Sequence, residues 1–416
     1  MSQCPYTNLL DPDLYAAGGH HLKLQELREQ ADGPIIKIQD PLTGIPYWAI
    51  LQREHVDYIA KNPALFSSEK RLTIPQEYDD ETIAMQSMML VNMDPPKHGK
   101  FRRIARNAFT PKAVESYHGT FAKYAKEIID NVAAKGQCEF ITEVAAELPL
   151  MAILDLCGVP IDDRSKFFTW TNQMMFQEDE DIGGNDPAAT AQEAAANIYL
   201  YAGELAKKHA ETPLTNIVGA LLDGEVEDEK LSEDEFQLFF LMLIAAGNES
   251  TRSVTAHGMR LLMEHPEQLQ MLVDDPALIP GACEEMLRYN PAFVTMRRTV
   301  MQDTEVAGVA MKEGDKVLLH WHLVNLDDTV FEEPMKFDIT RSQRMPDLSR
   351  EHRAFGIGTH FCIGAHLARM ELQIMFEELL PRLHNPQFAE PVKYVRDYFV
   401  NGIKEMKITF DPEVSR

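Results

Sequence analysis

Phe355-Gly-Ile-Gly-Thr-His-Phe-Cys-Ile-Gly364 is the stretch on which the fold turns. Gly356, Gly358 and Gly364 crowd the end of a long irregular segment that begins at Pro346, just before a helical pattern that runs to Leu383. Glycine at that density lets the backbone close tightly around a ligand. A cysteine placed where a helix opens sees free N–H groups and the positive end of the helix dipole, which favour thiolate over thiol. Cys362 is therefore a candidate metal ligand. Spacing alone leaves two alternatives, a zinc ion held with His360 and His366 or a buried structural cysteine. Zinc would need further ligands at regular spacing, such as a second Cys-x-x-Cys, and the sequence has none.

Outward from this loop, the chain reads as mainly α with small β-sheets. Helical periodicity fills Lys97 to Met263 and resumes at Cys362, and short strand-like runs lie near Ile35 to Leu51, Thr295 to Leu319 and Phe399 to Phe410. Ser232-Glu-Asp-Glu235 is a capping box. The pattern it opens runs without proline to His265, a helix of roughly 50 Å that would cross the molecule. Gln177 to Asp186 (QEDEDIGGND) predicts a mobile acidic surface loop that could serve as a lid. A single domain over 1–416 is expected, β-rich mainly at 35–65, 295–320 and 385–416.

Apolar residues make up 45% of the chain and are spread along it, enough for a large core. A formal charge of -25, from 65 acidic and 40 basic residues, argues against nucleic acid or an anionic membrane as partner. The start has no basic segment with an apolar run behind it, and nowhere do about eighteen apolar residues run unbroken, so a cytoplasmic protein without membrane insertion is expected. Cys4, Cys138, Cys157, Cys283 and Cys362 are odd in number and scattered, which does not suit a disulfide framework.

Phe355-x-x-Gly358-x-His360-x-Cys362-x-Gly364-x-x-Leu367-Ala368-Arg369 resembles the haem-binding signature of the cytochrome P-450 family. The resemblance implies the P-450 fold, with the long helix over a haem b, and makes Cys362 the proximal ligand. A thiolate there pushes electron density toward iron and favours O–O cleavage. It sets Phe355, Gly364 and Ala246 against the cofactor. It gives the propionates His98, Arg102, Arg298 and His360 as donors, of which His98 and Arg102 lie four apart on one helical face. Ala246-Gly247-Asn248-Glu249-Ser250-Thr251 resembles the family's oxygen-binding motif, with serine where threonine is usual. Gly247 would leave room for dioxygen, and Glu249, Ser250 and Thr251 would relay protons. Glu285 and Arg288 resemble a structural Glu-x-x-Arg pair, helped by a segment in which Lys336 stands for the more usual arginine.

The same resemblance implies a monooxygenase acting on an apolar small molecule of terpenoid, steroid or lipid type. Its pocket would be lined by Met242, Ala245, Ala246, Phe293, Val294, Met296 and Phe399, with Met88 to Val91. No Gly-x-Gly-x-x-Gly follows a strand and opens a helix, so electrons would come from a ferredoxin and its reductase. They would dock on Lys100, Arg103, Arg106, Lys112 and Arg369. A monomer is expected. A peroxide-driven peroxygenase and a haem-based sensor are the competing readings; the acid–alcohol pair speaks for the dioxygen-driven monooxygenase over the peroxygenase, and the sensor would usually carry an attached output domain, which the sequence does not show.

Overall fold

A computed structural model describes residues 7–106, 109–177, 179–227 and 229–413; Cys4 and Glu178 lie outside them. The helices that matter here are α1 (His20–Gln30), α2 (Arg53–Lys61), α3 (Lys97–Arg106), α4 (Glu147–Cys157), α5 (Arg164–Met175), α6 (Pro187–Glu211), α7 (Glu233–Glu264), α8 (Ile279–Tyr289), α9 (Trp321–Asn325) and α10 (Ala365–Leu379). The main sheet is built from β1 (Ile35–Gln39), β2 (Pro46–Ile50), β3 (Phe66–Ser67), β4 (Thr295–Val300) and β5 (Lys316–His320).

The predicted capping box forms at α7: Ser232 accepts from the Glu235 N–H, and Glu235 accepts from the Ser232 N–H. The helix continues for 32 residues and is buried on almost every side. Its first half, Phe236 to Ala246, is apolar on nearly every side and belongs in a core, and the buried polar residues that follow are mostly hydrogen-bonded. Helices α4, α5, α6, α8 and α10 pack about it. Gly258 permits a close approach by two of them, because a Cβ there would lie 2.6 Å from Met286 Sδ and 2.8 Å from Phe376 Cζ. Among the described residues no helix is long and apolar enough to cross a membrane.

The sheet has the order β1-β2-β5-β4-β3, antiparallel except for the β2–β5 pair. Strand alternation in β4 is what matters for function. Met296 and Arg298 point to one face and Arg297 to the other, where Arg297 and Lys316 both reach Glu77, at 2.9 and 3.0 Å.

The expected first β-rich stretch is interrupted, since 53–61 is α2. Conversely, the helical stretch contains a strand at Gln137–Glu139 and a hairpin of Glu225–Val226 with Glu229–Lys230. Strands of two or three residues carry no readable period. The acidic segment around 177–186 is tied down as well. Asp179 is buried and bound at 2.6 Å by Lys404 of the strand Ile403–Glu405, and a short helix, Glu180–Gly183, follows. The loop is latched to the C-terminal strand rather than free.

Candidate functional site

Cys362 sits two residues before Gly364, the N-cap of α10, rather than within the helix. Its N–H donates to the Phe355 carbonyl at 2.9 Å and closes the loop. Gly356 and Gly358 hold positive φ of 66° and 74°, and at Gly358 a Cβ would press to 2.8 Å from the Ala60 carbonyl of α2. Glycine is required there by both strain and contact. The Arg369 guanidinium lies over the Phe355 ring at 4.6 Å and donates to Glu284 at 2.6 Å. Cys362 alone of the four described cysteines is exposed; the protein packed around the loop raises its thiol, while the Gly364 N–H and the Arg102 and Arg369 charges pull it down. The loop thus supplies part of what a thiolate needs, and a bound metal cation would supply the remainder. Among the described residues, neither His360 nor His366 forms a metal-ligand group with the cysteine, which removes the zinc alternative.

Beside the loop, the four expected propionate donors meet. The His98 and His360 rings are 4.2 Å apart, and Arg102 donates to the Phe361 carbonyl at 2.5 Å. Burial and the nearby arginines lower His98 to about 4 and His360 to about 2, and burial lowers Arg298 to about 10. Neither Arg102 nor Arg298 has an ion-pair partner among the described residues, and His98 Nδ1 is buried without a hydrogen bond. Groups that depress one another this way are relieved by an anion, so the cluster suits the two carboxylates of a haem.

The long helix presents a matching wall. Met242, Ala246 and Ser250, spaced i, i+4 and i+8, are accessible while nearly all their neighbours are buried. An accessible stripe on a core helix faces an interior space. Ser250 Oγ donates to the Ala246 carbonyl at 2.7 Å. The other two expected relay residues turn away by the helical rotation. Glu249 is fully buried, accepting from Asn248 at 2.9 Å and lying 3.0 Å from Arg252, and those two reach Thr171 and Asn172 of α5. Burial raises the Glu249 carboxyl, against the pull of Arg252. Thr251 is buried on the side of α10, near Glu371, a carboxyl that burial raises well above its ordinary value against the pull of Thr251. Glu371 was not anticipated, because a glutamate mid-helix carries no local mark of burial. At Gly247 an added Cβ would lie 3.2 Å from Ile153 of α4, so the missing side chain makes room for that neighbour.

Phe293, Met296 and Phe399 are partly accessible, and the two phenylalanine rings pack at 5.1 Å. Met88, Met89 and Val91 are likewise half-buried. Val294 is not a lining residue. It is wholly buried, its N–H donating to Phe399 and its carbonyl accepting from Trp321. Ala245 is also buried, at the edge of the stripe.

Behind the loop, Glu285 and Arg288 pair at 2.7 Å, both fully buried. The third member is Arg341, not the position of Lys336. Arg341 Nε donates to Glu285 at 3.0 Å and its other nitrogens to the carbonyls of Glu332, Glu333 and Lys336. The Lys336 side chain is 58% exposed. The basic patch expected for docking is also partly neutralised. Lys100 and Arg103 share Glu227, at 3.2 and 3.1 Å, and Arg369 is bound to Glu284, whereas Arg106 and Lys112 are exposed.

The family model described as Cytochrome P450 matches residues 277–410, the part that carries Glu285, Arg298 and the cysteine loop. Over 409 residues the chain is 34% identical to a Steroid C26-monooxygenase of Rhodococcus jostii, covering 96% of this chain and 84% of that protein. It is 32% identical over 382 residues to a Methyl-branched lipid omega-hydroxylase of Mycobacterium tuberculosis, covering 91% and 87%. Among solved structures, the Mycobacterium marinum cytochrome P450 CYP268A2 in complex with pseudoionone superposes with a TM-score of 0.87 at 30% identity, covering 99% of this chain and 100% of that one.

Proposed function

This chain belongs to the cytochrome P450 family of haem-dependent monooxygenases, and on that premise we propose that Cys362 holds the haem iron and Ser250 serves the opposite wall in hydroxylating a steroid-like or methyl-branched apolar substrate. The observation that carries the reading is the accessible stripe Met242, Ala246 and Ser250 on an otherwise buried helix, one alcohol among apolar neighbours. When bound, haem b activates dioxygen and supplies the oxidising equivalent that inserts one oxygen atom into a C–H bond.

The chain's own residues have three tasks. Arg102, Arg298, His98 and His360 hold the propionates and fix the cofactor's orientation. Met242, Phe293, Met296 and Phe399 exclude water and bind the substrate through apolar contact, methionine allowing the wall to adapt. The Ser250 Oγ–H moves a proton into the site. It is held by the Ala246 carbonyl at rest, while Glu249, turned toward Arg252 and α5, has a positioning task behind it. Thr251, turned to Glu371, has a positioning task between α7 and α10.

Ser250→Ala is therefore expected to lower coupled product formation on the order of 100-fold, the low end of what a positioned proton donor contributes, with reductant still consumed as peroxide is released. Thr251→Ala should leave the ratio of product to reductant close to wild type. The reverse ranking would reassign the relay. Electrons reach the site from a ferredoxin-type carrier that docks near Arg106 and Lys112, the exposed cations of the expected patch.

Titrating the ferric protein with a steroid of intact side chain and with a methyl-branched fatty acid tests the substrate class. Displacement of the water ligand, read as a spin-state shift, should saturate with at least one of them. No shift with either, together with a shift by a polar aromatic, would overturn the assignment.

A further inference from the structure

Two pairs of histidines some three hundred residues apart, His20-His21 and His320-Trp-His322, meet inside the protein. None of them belongs to the site above. His20 and His21 open α1, and His322 lies in the first turn of α9, directly after β5. His20 and His322 are buried, and His21 is half-buried at the edge. The His21 and His322 Nε2 atoms are 2.8 Å apart. The His20 ring centroid lies 4.8 Å from that of His21 and 4.9 Å from that of His322. One ring nitrogen from each residue lies within 4.8 Å of the other two.

These imidazoles satisfy one another only in part: His21 Nε2 and His322 Nε2 share a hydrogen bond, and His21 Nε2 also meets the Tyr289 carbonyl. Both nitrogens of His20 and the Nδ1 of His322 are buried without a hydrogen-bond partner. Buried polar atoms are normally paired, and His20, with both nitrogens unpartnered beside the other two imidazoles, asks for a further ligand. We propose that His20, His21 and His322 bind one divalent transition metal ion of the zinc type, with water completing the coordination. Bonds of about 2.0–2.1 Å in a tetrahedron set the nitrogens roughly 3.4 Å apart. That lies between the 2.8 Å of the closest pair and the 4.8 Å limit of the group, so small rotations about the side-chain bonds suffice.

The donor set specifies the ion. Three imidazoles without a carboxylate select zinc, nickel or copper over magnesium or calcium. Burial holds all three rings in the neutral form that offers a lone pair. The neighbouring Arg260 guanidinium opposes a cation, but it is bound by Glu264 at 2.7 Å. The Tyr289 carbonyl, 3.0 Å from His21 Nε2, accepts from it in the Nε2–H tautomer; with the His21 proton on Nδ1, Nε2 is free to ligate and the carbonyl can accept from the metal-bound water instead. The ion would tie α1 to the end of α8 and to the start of α9, so its role is to hold the N-terminal segment on the sheet.

The test uses tag-free holoenzyme, stripped with chelator, mixed with zinc chloride and freed of excess by gel filtration. Zinc per haem iron is then measured by mass spectrometry, and the melting temperature is recorded with zinc or magnesium. About one zinc per iron is expected, with a rise in melting temperature that magnesium does not give. His20→Gln and His322→Gln should each weaken zinc binding at least about tenfold, while the carbon monoxide spectrum stays that of wild type. If either variant fails to keep haem, the edge substitution His21→Gln is read in its place. Retention of no zinc by the wild-type protein would overturn the proposal. So would variants that hold zinc as tightly as the wild type, since the ion would then sit elsewhere.

Discussion

Cys362→Ser is expected to abolish hydroxylation while leaving the fold in place. A serine hydroxyl is far less acidic than a thiol and does not ionise here, so it offers neither the negative charge nor the electron release of a thiolate. Removing outer partners of a metal ligand commonly costs about 10–100-fold, and removing the ligand itself should exceed that. The loop itself is held by the Cys362 N–H to Phe355, by Arg102 to the Phe361 carbonyl and by Arg369 over Phe355, none of which uses the sulfur. The variant should therefore fold, keep its circular dichroism and melt near the wild type when both are free of haem. Product formation should be lost, and any haem retained should show no thiolate spectrum. Cys138→Ala, a change at a buried cysteine of the small C-terminal sheet, should leave turnover intact. Equal turnover in Cys362→Ser would remove the cysteine from its role.

The second large effect is on stability. Glu285 accepts from Arg288 at 2.7 and 2.8 Å, from Arg341 at 3.0 Å and from the Asp338 N–H at 3.0 Å. Both arginines spend their remaining N–H groups on carbonyls between Asn325 and Lys336. Glu285→Ala leaves two buried guanidiniums without their carboxylate. Breaking a buried pair in this way costs about 3–5 kcal/mol, a large share of the roughly 5–15 kcal/mol that holds a typical protein folded. The urea midpoint should fall sharply and the haem should be lost early in the transition. Arg341→Ala should behave like Glu285→Ala, and Lys336→Ala should be close to neutral because its side chain is 58% exposed. If Lys336→Ala were as damaging as Arg341→Ala, the third member of the network would be misassigned.

These results bear on what a sequence can and cannot reveal. The cysteine loop was legible because glycine density, a cysteine and a helix start are local features. The long helix was legible because its capping box and its unbroken length are local as well. Side-chain direction was not. Glu249, Ser250 and Thr251 differ by about 100° each around α7, and which of them faces the open stripe is set by α5 and α10 packing on the other sides. The same holds for Gly247, where only the packing of α4 decides that an added Cβ would meet Ile153. Arg341 was missed for a related reason: in sequence it lies near Lys336, and only the turn of the chain between them decides which cation is carried inward. The histidine group depends on contacts across nearly the whole chain, which no short pattern reveals.

The central claim, that Cys362 ligates iron as a thiolate, is tested most directly by the absorption spectrum of the reduced protein with carbon monoxide. The account predicts the strongly red-shifted Soret band of a thiolate-bound haem, present in the wild type and absent from Cys362→Ser. A histidine-type band in the wild type, or a thiolate-type band that survives in Cys362→Ser, would contradict it.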